Sequence, residues 1–308
     1  MKYEDWKKKP TRFVAMTGIT QDVFSEILPY FEYAHDFYFQ RFDIKGKAVE
    51  RVRRFKIYKN SPLPTIEERL VFILSYLKLN PIQEQHADLF SMTQKQCNEF
   101  VHSLHAVLEM TLKNAEMMPA RNQQELLQKL EEIYADEASE KKLMHDGTER
   151  EVPRPADYEL QKEFYSGKKK KHTVKNAVIT NMLCFIIFVG STVLGKVHDK
   201  KIADDQYLIP PNFELWQDTG YQGYCPSDVT IQQPIKKTKG KELSEEEKEY
   251  NKSISSVRVR VEHAIGSVKR MKIVRNECRL RKGNFVNRIF HTCAGLHNFR
   301  LSIKSFEY

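Results

Sequence analysis

The hydrophobic period of this chain changes once, near residue 141, and that change limits what each part can fold into. Between Pro62 and residue 118 apolar side chains recur at helical spacing, whereas beyond 141 they gather in short runs that suit strands. Thr65 can cap a helix with Glu67 and Glu68 in its first turn and Leu70, Ile73, Leu74 and Leu77 on its apolar face; Asn80-Pro81 stops it. A short helix over 83–90 and a turn at Ser91-Met92 lead to Thr93. That residue caps a third helix bearing Cys97, Phe100, Val101, Leu104, Val107, Leu108 and Leu112. Three helices separated by tight turns predict a helix-turn-helix domain over 61–118. Its final helix offers Lys95, with Gln94, Gln96 and Asn98, to an anionic partner, and a plain trihelical packing or dimerisation module fits the same pattern.

In the second part, 141–146, 173–181 and 184–189 read as strands, with Gly190 available for a turn or bulge before 192–194. A short helix over 198–208 follows, then strands at 213–218 and 229–234, and a predominantly helical stretch over 244–275. This order predicts an α/β fold over 141–308, a mixed sheet flanked by helices whose first three strands form a meander. Residues 1–60, basic and rich in aromatics such as Phe31, Tyr33, Phe37, Tyr38, Phe39 and Phe42, read as a loosely packed accessory segment, and 119–140 as a polar helical linker.

Composition narrows the function classes. A chain of 308 residues with a net charge of +9 favours an anionic partner, of which nucleic acid is the commonest. The longest apolar stretch, 182–194, is short of the ~20 residues a spanning helix needs, so no membrane partner is expected. The charged opening MKYEDWKKKP does not resemble an export signal. Five scattered cysteines without C-x-x-C spacing argue for a reducing compartment and against a zinc knuckle. A cytoplasmic, nucleoid-associated location is the expectation.

Asp146 and Asp218 each close a predicted strand, the position at which open α/β sheets present ligands. Glu262 lies beside the stripe Val257, Val261, Ala264, Val268 and Met271 of the last long helix, where a side chain can reach inward from the edge of the sheet. Three converging carboxylates repel one another unless a cation neutralises them, and hard oxygen ligands select Mg²⁺ or Mn²⁺. Any three of 41 acidic residues can be called a triad, so the sequence around each one has to decide.

That surrounding sequence carries a resemblance. HDGTERE (145–151), YSGKKKKHTVK (165–175), GKVHDKKIADD (195–205), DTGYQG (218–223) and VRVEHAIGSVKRMK (259–272), in this order, closely resemble the transposases of the IS5-like and Harbinger-like group of the DDE superfamily. The resemblance extends over roughly 65 to 299, including the helix-turn-helix region, and implies an RNase H-like catalytic fold. It assigns the catalytic, metal-binding carboxylates to Asp146, Asp218 and Glu262. It implies two divalent ions, Mg²⁺ with Mn²⁺ as substitute, and no other cofactor. The implied reaction is hydrolysis at element ends followed by transfer of the 3′-hydroxyl strand to target DNA. The implied partners are double-stranded DNA, as terminal inverted repeats and target, and a second copy of the chain, because two ends must be brought together. The family's H-D pair falls on His198-Asp199, which leaves Asp199 as a competitor for the second carboxylate. Asp218 is preferred because it ends a predicted strand, whereas Asp199 begins a helix and is already explained by N-capping.

The densest positive run, Lys168, Lys169, Lys170, Lys171, His172 and Lys175, reads as a phosphate clamp, with a solvated loop as the plain alternative. Helical spacing puts Arg258, Glu262, Lys269 and Lys272 on one face that would present cations to the DNA backbone, and Arg275, Arg279, Arg281 and Lys282 extend the charge. Residues 236–252 mix both signs and read as an exposed connector.

Overall fold

The computed structural model describes residues 2–136, 140–237, 242–280 and 284–304, and these divide into two units. Of the described residues, the first takes those up to 118 together with 269–276 and 298–304; the second takes those of 119–268 and 277–297.

In the first unit, the stretch expected to be loosely packed folds into α1 (Lys2–Lys7), α2 (Pro10–Thr17) and α3 (Gln21–Arg41). Pro10 starts α2, Gly18 at φ 82° ends it, and Thr20 caps α3 by accepting the Val23 N–H. Val23, Phe24, Ile27, Phe31, Ala34 and Tyr38 form the buried stripe of α3, and Phe13 meets Phe24 edge to face at 5.2 Å. The helical period is present in the sequence, but the exposed aromatics Tyr30, Tyr33 and Phe37 between the stripe positions disguise it. The three expected helices follow as α4 (Ile66–Leu79), α5 (Gln83–Leu89) and α6 (Gln94–Asn114). Thr65 accepts the Glu68 N–H, and Thr93 with Gln96 forms a capping box, each cap contributing about 1 kcal/mol. Helix α4 is buried nearly all round, and its Arg69 lies 2.7 Å from His35 Nε2 among the rings of Phe39, Phe55 and Phe100.

In the second unit, α7 (Gln123–Ile133) leads to β1 (Lys142–Glu151), α8 (Tyr158–Phe164), β2 (Tyr165–Ser166), β3 (Lys171–Asn181), β4 (Ile186–Val189) and β5 (Val193–Leu194). Then come α9 (Asp199–Gln206), β6 (Glu214–Trp216), β7 (Thr230–Gln232) and α10 (Glu245–Val268). The sheet runs β3-β1-β6-β7, with β2, β4 and β5 all pairing with β3. Strand β3 is antiparallel to β1, whereas β6 is parallel to β1 and β7 to β6. An N-terminal helical region followed by a mixed sheet flanked by helices is consistent with an RNase H-like α/β fold.

Alternation along β1 sends Leu143, His145 and Gly147 to one face and Met144, Asp146 and Arg150 to the other. On the first face Leu143, Ala177 and Leu215 pack with Leu126 and Leu130 of α7 and Ile202 and Ala203 of α9. The stretch 119–140, expected to be a linker, therefore contributes α7 to the core under the sheet. On the other face lie α10 and α12 (Phe285–Ile303), and Arg150 there donates to the Val286 carbonyl at 2.8 Å. The single helix expected over 244–275 is broken: α10 ends at Val268, and α11 (Lys272–Arg275) belongs to the first unit.

Candidate active site

The parallel ladder of β1 and β6 pairs Lys142 with Glu214, Leu143 with Leu215 and Met144 with Trp216. Two residues beyond the last pair stand Asp146, still within β1, and Asp218, past the end of β6. Equal steps from one register pair put the two carboxylates side by side on the α10 face. Neither aspartate closes its strand: Asp218 lies two residues past the end of β6, where it caps a 3-10 turn over Thr219–Tyr221, and Asp146 lies inside β1 rather than at its end. The antiparallel partner β3 keeps pairing past it, from Asp146 opposite Val178 to Glu151 opposite Thr173, so Gly147-Thr148 does not stop the strand.

Each carboxylate is held by the amide that follows it: Asp146 Oδ1 accepts the Gly147 N–H at 2.8 Å, and Asp218 Oδ1 accepts the Thr219 N–H at 2.7 Å. Arg258, buried on α10, brings Nη1 to 3.8 Å from Asp218 Oδ1. Burial pushes the Asp146 carboxyl up to about 6; Arg258 and the Gly147 amide oppose the rise, and the charges of Asp218 and Asp199 add to it. Desolvation, more than the neighbouring negative charge, holds this carboxyl up. Carboxylate oxygens of this kind are the hard donors that a divalent cation takes.

Asp199 is the first residue of α9 and lies on the other face, behind the glycines that follow the two aspartates. A Cβ on Gly147 would come within 2.9 Å of Asp199 Oδ1, and one on Gly220 within 3.2 Å of Oδ2. Its charge is balanced by Lys175, whose Nζ lies 3.4 Å from Asp199 Oδ1 and 3.5 Å from Glu149 Oε1 and donates to the Val197 carbonyl at 3.0 Å. The N-cap of α9 is His198, without a side-chain cap bond, so the capping explanation for Asp199 does not hold.

Glu262 is exposed on α10, one turn beyond Arg258. Among the described residues no group of three or more His, Cys, Asp or Glu side chains is gathered closely enough to hold a metal. The geometry brings together Asp146, Asp218 and Arg258, with Asp199 nearby, and leaves Glu262 outside.

The basic residues separate in the same way. Lys168, Lys169 and Lys170 occupy the exposed turn between β2 and β3, where Lys170 takes a left-handed conformation at φ 53°. Lys171 pairs with Glu151 at 2.6 Å, and His172 meets the Tyr165 ring edge-on. Lys175 and Arg258 turn their charge inward to carboxylates. Lys95 is exposed in the first turn of α6. Lys269 and Lys272 fall in the first unit, past the end of α10, so they do not continue a face with Glu262. Arg281, Lys282 and 238–241 of the connector lie outside the described residues.

Sequence reasoning gave Arg258 to the DNA backbone and missed its place beside Asp218. It also passed over His145 and Gln217, fully buried polar residues immediately before the two aspartates. A polar residue at the corresponding buried position of two adjacent strands was the available signal.

A family profile described as "DDE superfamily endonuclease" matches residues 145–298, half of the chain. A protein of Microchaete diplosiphon described as "Probable transposase for insertion sequence element IS702" is 31% identical over 175 residues. That alignment covers 56% of this chain and 62% of the relative, so the chain spans less than two thirds of that protein's length. No solved structure matches.

Proposed function

The chain belongs to the DDE superfamily endonuclease family, and on that premise we propose that it is a DNA transposase of the IS5-like and Harbinger-like group. It hydrolyses phosphodiester bonds at element ends and transfers the freed 3′-hydroxyl strand to target DNA. The observation that carries this reading is the placement of Asp146 and Asp218 two residues past the last register pair of the parallel strands β1 and β6, inside the matched region.

Asp146 and Asp218 each hold Oδ1 on a backbone amide, and Asp218 Oδ1 also faces Arg258 of α10. Arg258 moderates their charge and lowers the proton affinity of Asp146. Glu262, one turn along α10, is assigned as the third carboxylate and has to be drawn in from its exposed position when DNA and metal are engaged. Mg²⁺, or Mn²⁺ in its place, supplies charge neutralisation and activation of the attacking and leaving oxygens when two ions are bound. Water is the first nucleophile and the exposed 3′-hydroxyl the second, and both steps are in-line displacements at phosphorus within one site. The exposed Lys168–Lys170 turn and Lys95 of the helix-turn-helix are assigned to the phosphates of double-stranded DNA. The working complex holds at least two copies of the chain, and the protein acts in the cytoplasm at the nucleoid. Among the described residues no helix is long and apolar enough to cross a membrane.

The exposure of Glu262 favours a second reading, a transposase-derived protein that binds DNA without cutting it. Incubation with Mg²⁺ or Mn²⁺, DNA bearing candidate terminal inverted repeats and a labelled 3′-hydroxyl donor separates them. The proposal expects nicked and joined products; nicking without joining leaves a nuclease, and binding without nicking supports the second reading.

A further inference from the structure

His145 precedes Asp146 and Gln217 precedes Asp218, and both side chains are fully buried on the face opposite the carboxylates. His145 Nε2 lies 3.0 Å from Gln217 Oε1, and His145 Nδ1 lies 2.7 Å from the Tyr207 hydroxyl. Gln217 Nε2 donates to the Tyr224 carbonyl at 3.3 Å, and the Tyr224 hydroxyl donates to the Tyr207 carbonyl at 3.0 Å. One proton assignment satisfies every link: Tyr207 O–H donates to Nδ1, Nε2–H donates to Gln217, and the amide and second hydroxyl carry the chain back to Tyr207. The opposite tautomer would set a bare Nε2 against an acceptor oxygen. The four residues therefore form a closed ring of hydrogen bonds, with the Tyr221 ring stacked on His145 at 3.8 Å between centroids.

The position of the ring gives it a task. Backbone pairing of β1 with β6 ends at Met144 and Trp216, and the next residues on the two strands are His145 and Gln217. Adjacent strands diverge by twist once their ladder stops, roughly 20–25° between neighbours. The imidazole–amide bond carries the connection one step further, immediately before the carboxylates emerge.

We propose that the Tyr207–His145–Gln217–Tyr224 ring is a positioning device that sets the separation of Asp146 and Asp218, and through it the affinity of the pair for a divalent cation. The affinity part rests on the metal-dependent reading above; the existence of the tie does not.

Two measurements on the full chain test this. Without metal, ¹⁵N shifts of labelled histidine, assigned to His145 by their absence in His145→Phe, should show the Nε2–H tautomer at that residue; the Nδ1–H tautomer at His145 overturns the ring. With Mn²⁺ alone as probe, the ion concentration giving half-maximal binding, read by water-proton relaxation, should rise about tenfold or more in Gln217→Met and in His145→Phe. The double variant should be no worse than the singles, and full binding at saturating Mn²⁺ should be retained. Variants that lose melting temperature but keep the Mn²⁺ midpoint within about twofold of wild type overturn positioning and leave a packing role. Should His145→Phe fail to fold, Tyr207→Phe removes one link of the ring, and an unchanged midpoint there counts against the proposal equally. A wild-type protein that does not respond to Mn²⁺ overturns the proposed function and the affinity part together, while a responsive wild type whose variants keep its midpoint overturns the inference alone.

Discussion

Arg258 Nη1 lies 3.8 Å from Asp218 Oδ1, and the same guanidinium opposes the rise of the Asp146 carboxyl. Arg258→Met leaves these carboxylates without their nearby cation. In metal-free protein at pH 7.5 the expected loss is about 1–2 kcal/mol, discounted from a fully buried pair because the Asp218 side chain is 43% exposed. Asp218→Asn in the Arg258→Met background should recover part of that loss. Thermal melts of the two single variants and the double variant check it; strictly additive losses would show that the two residues do not interact.

Buried histidines make the fold acid-sensitive. Desolvation lowers His35 and His86 to about 4 and His145 to about 3. In the unfolded chain they titrate near 6.5. Because their folded values are depressed, their contribution is complete above about 6.5 and is lost as pH falls towards 4, at about 1.4 kcal/mol per pH unit for each group. Asp146, raised to about 6, works in the opposite direction as a single group and does not offset three. Urea denaturation at pH 7.5 and pH 5 should show a marked loss of stability at pH 5, and a flat profile would refute the buried neutral imidazoles.

The glycines after the two aspartates answer to Asp199. Gly147→Ala puts a Cβ 2.9 Å from Asp199 Oδ1 and should cost about 1–3 kcal/mol, with Gly220→Ala milder at 3.2 Å. Asp199→Ala removes the obstacle, so Gly147→Ala should cost much less in that background. Equal costs in both backgrounds, read by chemical denaturation, would show that another neighbour requires the glycine.

The lysine run divides into two roles. Replacing Lys168, Lys169 and Lys170 by Ala should leave the melting temperature unchanged and weaken binding across DNA sequences, reducing the salt slope by about 0.9 for each phosphate no longer neutralised. Lys175→Met removes the cation between Glu149 and Asp199 and should lower the melting temperature instead. Fluorescence anisotropy at several salt concentrations, with melts alongside, distinguishes the two; the reverse pattern would overturn the division.

Much of the frame was legible in the sequence because its signals are local. Thr65 and Thr93 mark the starts of α4 and α6, and the period change near 141 marks where the sheet begins. The signals that failed depend on partners distant in sequence. Gly147 resembles a strand end until β3 supplies Ala177 opposite it. Arg258 and Lys175 look like surface cations until the fold brings Asp218, Glu149 and Asp199 to them. The same dependence on tertiary contact made the parallel register of Asp146 and Asp218 visible only in the structure, and Glu262 is tied to them by resemblance rather than by proximity.

Asp146 and Asp218 together are proposed to support metal-dependent cleavage of DNA. Nicking of inverted-repeat DNA in Mg²⁺ and Mn²⁺ by wild type, Asp146→Asn, Asp218→Asn, Glu262→Gln and Asp199→Asn tests it most directly. Metal-dependent nicking by wild type is expected, with its abolition in the first three variants and measurable nicking by Asp199→Asn. Retained cleavage in a folded Asp218→Asn protein, with loss in Asp199→Asn, would contradict it.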